Sequence, residues 1–169
     1  METPIGNKQL STQYHVECIK PDGTIRWADD FHNLVTTAGL NDSLDKHFKG
    51  SSYTAAWYVG LVDDNPTFNA ADTMSSHAGW TEADDYDEAT REALTLGTPS
   101  GGSVDNSASK ASFTMSATVV IAGVFLTTVS TKNGTTGILY GEGAFTTGDR
   151  SCQDGDTLNV TVTLTASAS

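Results

Sequence analysis

The stretch Ala111-Ser-Phe-Thr-Met-Ser-Ala-Thr-Val-Val-Ile-Ala-Gly-Val-Phe-Leu126 decides the fold. Phe113, Met115, Ala117, Val119 and Ile121 fall on one face, and Thr114, Ser116 and Thr118 on the other. That is the two-residue period of a β-strand with one covered face. From Val120 through Ala122 and Val124 both faces turn apolar, as in a strand running from a wetted edge into a covered interior. Gly123 stands where a kink or bulge lets it turn. The closing segment, Thr157 to Thr165, is read as its partner. There Leu158, Val160, Val162 and Leu164 alternate with Asn159, Thr161, Thr163 and Thr165.

Working outward, the same rhythm recurs. Tyr14, Val16 and Cys18 alternate with His15 and Glu17, Pro21-Asp22-Gly23 supplies a turn, and Ile25 and Trp27 resume the pattern, which predicts a hairpin. Ala56 to Val62 reads as a covered strand with Trp57 in the core and Gly60 permitting close approach. Further strands are expected at about Ala93–Leu96, Gly123–Val129 and Gly137–Phe145, with turns at Asp63-Asp64-Asn65-Pro66 and Gln153-Asp154-Gly155-Asp156. Leu40, Leu44 and Phe48 recur at i, i+4 and i+8, the apolar stripe of one short amphipathic helix. Thr36 or Thr37 is placed to cap it and Gly50 to end it. The sum is an all-β domain, a β-sandwich or jelly-roll-like fold of about seven or eight strands with one short helix. One such domain spans residues 14–169, preceded by an extended arm over residues 1–13, either docked on a neighbour or frayed.

Composition narrows the function classes. The chain of 169 residues carries 21 Asp and Glu against 9 Lys and Arg, a formal charge of -12. It therefore lacks the positive footprint that nucleic acid or an anionic membrane surface requires. Residues 1–93 hold 16 of the acids and 6 of the bases, so a basic partner would meet the first half. No apolar run is long enough to span a bilayer, and residues 1–10 carry no export signal pattern. Cys18 and Cys152 have no CxxC spacing; they read as two separate small core or surface residues, with a disulfide as the alternative.

The side chains that invite a catalytic reading form no such constellation. Asp72, His77, Trp80 and Glu82 fall within eleven residues, but match no calcium or zinc ligand spacing. They read as a structural loop plugged by Trp80, with Asp72 capping one helical turn. Asp84, Asp85, Asp87, Glu88 and Glu92 around Arg91 read as a charged, exposed loop, since glycoside hydrolysis needs carboxylates fixed across a cleft. Gly141-Glu142-Gly143 opens no helix and makes no nucleotide cradle, and His47 is read as a rim residue. The expectation is therefore no enzyme, no catalytic residue, no cofactor and no metal.

Several blocks carry a resemblance. Residues 33–40 (Asn-Leu-Val-Thr-Thr-Ala-Gly-Leu), Trp57-Tyr58-Val59-Gly60-Leu61, Ala71-Asp72-Thr73-Met74 and His77-Ala78-Gly79-Trp80 resemble small virion structural proteins of tailed bacteriophages. So do Asn106-Ser107-Ala108-Ser109, Gly123-Val124-Phe125-Leu126 and Gly155-Asp156-Thr157-Leu158-Asn159-Val160. The resemblance implies a head decoration, or cement, protein that binds the outer capsid surface, with the major capsid protein as partner and self-association as a homotrimer. It would be made in the host cytoplasm and reside in the virion. The alternatives are a tail or tail-fibre-associated module, and a host-glycan-binding β-domain stacking sugars on Trp57, Tyr58 or Trp80.

Overall fold

The structure, a computed structural model, describes residues 8–53 and 56–168. Among the described residues, thirteen strands, many very short, and one α-helix follow in chain order: β1 (Lys8–Ile19), β2 (Ile25–His32), β3 (Leu34–Val35), α1 (Thr37–Leu44), β4 (Tyr58–Val62), β5 (Glu82–Ala83), β6 (Glu92–Ala93), β7 (Ser103–Asp105), β8 (Ala111–Thr114), β9 (Val119–Ile121), β10 (Gly123–Thr127), β11 (Leu139–Ala144), β12 (Arg150–Cys152) and β13 (Thr157–Ala168). The domain is an all-β sandwich of antiparallel sheets, as the alternation predicts.

The first sheet runs β2-β1-β13, and the far edge of β13 is shared by β7 and β8. The second runs β3-β11-β10-β4, and the far edge of β4 is shared by β5 and β6. Tyr14, Val16, Cys18, Leu158, Val160 and Val162 from the first sheet meet Val59, Leu61, Val124 and Leu126 from the second in one core. The period-two pattern of β1 and β13 thus puts Tyr14, Val16, Cys18, Leu158, Val160 and Val162 out of water. Each fully buried Val or Leu contributes ~1.5–3 kcal/mol.

The second sheet is covered on its other face as well. Residues 63–81 lie across it, and Met74 and Trp80 join Val62, Phe125 and Leu139 in a second core cluster flanked by Phe68. This is why β10 reads as a continuous apolar run: Val124 and Leu126 face one core and Phe125 the other. Gly60 is required here, because the Phe125 ring occupies the space a β-carbon at residue 60 would need.

Several expectations need correction. The segment 111–126 is not one strand partnered by the closing segment. Only β8 pairs with β13, through Leu158 opposite Phe113. The chain then leaves that sheet, forms the ribbon β9–β12, and turns at Gly123 into the second sheet, where β10 lies between β11 and β4. The main partner of β13 is β1, in register from Lys8 opposite Ala168 to Ile19 opposite Thr157. The expected arm is therefore sheet from Lys8 onward, with Thr12 buried and Gln13 on the wetted face; residues 1–7 of it lie outside the described residues. Trp57 precedes β4 and is half-buried rather than core.

The hairpin and caps follow the sequence closely. The β1–β2 turn is closed by the Lys20 N–H donating to Thr24 O at 2.9 Å, with Gly23 at φ 83°. Thr36 is the N-cap of α1, its hydroxyl accepting from the Gly39 N–H at 3.0 Å. The helix continues as one wide π-type turn, Asp45–Lys49, and Gly50 ends it in the left-handed region at φ 68°.

Candidate interaction surface

Helix α1 sets the geometry of the most exposed apolar surface. It docks against β11 by its small residues: Gly39 is buried, and a β-carbon there would collide with the backbone of Tyr140. Ser43, one turn on, donates back to Gly39 O at 3.0 Å and stays on the docked side. An amphipathic helix ordinarily turns its apolar stripe to the core. Here the close approach at Gly39 fixes the rotation the other way, so the predicted stripe points to water. Leu40 is 43% exposed, Leu44 57% and Phe48 70%. His47 lies edge-on to Phe48, with ring centroids 4.7 Å apart.

Beside this stripe, where the two sheets part, a groove of about 370 Å³ opens. Trp57, Leu94, Leu96, Leu126, Tyr140 and Leu164 line it, and Asp42, Lys46 and His47 stand at its helical wall. The Trp57 and Tyr140 rings meet edge to face at 5.5 Å, and Tyr53, at 68% exposure, adds a third aromatic. Along the helix Lys49 pairs with Asp45 at 3.0 Å, and at the groove wall Lys46 lies 4.0 Å from Asp42.

Of the residues that invite a catalytic reading, Asp72, His77 and Trp80 stay close to one another beside Glu142, and Glu82 is taken into a separate ion pair. Glu82 is paired with Arg91, whose Nε and Nη2 donate to the two carboxylate oxygens at 2.8 and 2.7 Å. Arg91 Nη1 also donates to Val129 O and Nη2 to Gly134 O. The loop around Arg91 is exposed at Asp84, Asp85 and Asp87, as read, but Arg91 itself is fully buried. His77 stacks on Trp80 at 4.0 Å and donates from Nδ1 to the Trp80 carbonyl. Trp80 is the plug the loop was expected to have, at 5% exposure. Asp72 caps no helix. It closes the turn at Asn69, whose N–H it shares with Glu142.

Glu142 is the chemically odd residue. It is fully buried, with one oxygen bonded to the Asn69 N–H at 3.3 Å and the other without a geometric partner. Burial, and then the neighbouring Asp72 carboxylate, push its pKa up to about 8. At neutral pH it therefore holds its proton, the state in which two adjacent carboxyls coexist without a cation. Among the described residues, no group of three or more His, Cys, Asp or Glu is placed to hold a metal ion, and no helix is long and apolar enough to cross a membrane.

The surface was only partly legible. Leu40, Leu44 and Phe48 were identifiable as a stripe, but their outward direction depends on Gly39 packing on Tyr140, 101 positions away in sequence. The glycine inside the helical pattern was the available signal, since a helical Gly often marks a close-packed face. Trp57 and Leu164 reach the groove only through the pairing of the sheets. No protein-family model matches the chain, and no curated protein matches it.

Proposed function

We propose that the chain is a virion structural protein that decorates the head of a tailed bacteriophage, binding the outer surface of the major capsid protein lattice and bridging neighbouring capsomers. The block resemblance supplies the class. The observation that carries the binding role is the outward stripe Leu40, Leu44 and Phe48 on a helix anchored to a stiff sandwich. Exposed apolar side chains in a contiguous group mark contact surfaces, and a preorganised scaffold keeps the ordering cost of binding low. Repetition round a lattice then multiplies weak contacts into avidity. Self-association as a trimer belongs to the same proposal, since the outer edges of β2 and β3 gain from being covered.

The test is sedimentation of purified chain with undecorated heads. Wild type should co-sediment and raise the heads' resistance to heat and chelation. Leu44→Asp with Phe48→Asp should lose binding at least tenfold with an unchanged Tm, because both side chains are already mostly in water. Failure of the wild type to sediment would remove the decoration reading, and immunogold labelling confined to the tail would move the chain there.

A second reading rests on the groove. Trp57, Tyr53 and Tyr140 offer aromatic faces of the kind sugars stack on, whereas Trp80 is covered and excluded as a platform. Tryptophan fluorescence that shifts with a host-surface glycan, and not with capsid, would favour this reading.

A further inference from the structure

We propose that Cys18 and Cys152 are the two halves of an intramolecular disulfide that forms when the chain meets an oxidising medium. Cys18 lies near the end of β1 and Cys152 ends β12. They are 134 positions apart in sequence, yet their sulfurs stand 3.5 Å from each other. Both side chains are fully buried. The backbone on either side is pinned: Cys18 sits in register between Leu158 and Trp27, and Cys152 opposite Val119. A covalent S–S bond is about 2.05 Å long, so the sulfurs must close by about 1.5 Å, a side-chain adjustment rather than a rearrangement of sheets.

The surroundings say when the bond forms. Asp156 Oδ2 lies 3.5 Å from Cys18 Sγ and is itself held by Arg26, whose Nε donates to it at 2.6 Å. The Arg26 guanidinium keeps the Asp156 carboxyl below the usual range, so a negative charge already stands beside the thiols. Cys152 is pushed up in pKa by its contact with Cys18 and then by burial. In the folded chain Cys152 therefore presents almost no thiolate, the species that attacks. Oxidation proceeds from forms in which the three-residue strand β12 has opened, or while the chain folds.

With oxidised glutathione as oxidant the chemistry balances. One Cys thiolate attacks a glutathione sulfur, breaking its S–S bond and releasing one glutathione thiolate, which takes up the proton the cysteine lost. The second Cys thiolate then attacks the protein sulfur of the mixed disulfide and expels the second glutathione thiolate, which is protonated likewise. Two protein thiols become one disulfide and one oxidised glutathione becomes two reduced ones. The product ties the β1–β2 hairpin to the β9–β12 ribbon and closes most of the chain into one loop.

The experiment is to refold the full chain from denaturant in oxidised and reduced glutathione, and in parallel with reductant alone. The oxidised sample should lose two hydrogens in intact mass, and non-reducing peptide mapping should join the Cys18 peptide to the Cys152 peptide. Its Tm should exceed that of the reduced sample by about 5–15 °C. Exposure of already folded protein to the same buffer should give the same product far more slowly. Two titratable thiols after oxidative refolding, cross-links between chains, or an oxidised form melting no higher than the reduced one would each overturn the proposal. The comparison is between two redox states of one chain and needs no variant to fold. Cys18→Ala with Cys152→Ala, where it folds, should abolish the Tm difference.

Discussion

Arg91 shows how one residue can hold two loops. Its guanidinium is fully buried, donates four hydrogen bonds to Glu82, Val129 O and Gly134 O, and lies 5.1 Å from the Phe125 ring centroid. Removing one member of a buried pair strands the other, so Arg91→Ala should destabilise by about 3–5 kcal/mol, measured from the urea midpoint. Lysine should not rescue it, since a point charge cannot make the paired donation. None of this was readable from the acidic run around it, because its carbonyl partners come from a loop some 40 positions on. Glu142 yields a prediction with a definite sign. Folded, its carboxyl keeps a proton up to about pH 8; unfolded, it releases it near 4.5. Between those values the unfolded chain binds fewer protons, so stability falls as pH rises and levels off above about 8. Glu142→Gln should flatten that decline and raise the urea midpoint at pH 8, while a decline unchanged in the variant would assign it to other groups.

At the scale of the element, α1 is the informative case. Alanine is a better helix former than glycine by ~1 kcal/mol, so propensity alone says Gly39→Ala stabilises. Packing says the reverse, because the new methyl meets the Tyr140 backbone. Overfilling of that kind costs about 1–3 kcal/mol, and the sign of the measured change decides between the two. A stabilised variant would mean the helix does not sit tightly on β11. The helix, its Thr36 cap and its Gly50 stop were all legible because they are local. Strands β2 and β13 and the part of β1 from Tyr14 onward were legible for the same reason, through alternation, whereas Lys8–Gln13 lack that pattern and read as an arm. The two- and three-residue strands β3, β5, β7 and β12 were not, since so few residues carry no period and exist only where a neighbouring strand offers an edge. The split of 111–126 between sheets was half legible: Gly123 marked the turn, but nothing local says that the strand after it changes sheets.

The whole molecule is a sandwich whose second sheet has both faces covered and whose buried Arg91 and Asp29 pin loops to one another. The sheet edges are closed unevenly, by pairs of short strands on one side and left to β2 and β3 on the other. Its exposed apolar features are the outward stripe of α1 and the aromatic groove beside it, and the proposed binding role rests on them. The proposed functional class rests on a resemblance in turn and core blocks, which physical patterning permits without specifying. A contact surface leaves no motif in sequence, because it needs only apolar side chains facing outward, and direction is a property of the folded whole. The most direct measurement is electron cryomicroscopy of undecorated heads incubated with the chain. The account predicts sandwich-shaped density on the outer capsid surface with Leu40, Leu44 and Phe48 at the contact; bare heads, or density that attaches with the stripe facing solvent, would contradict it.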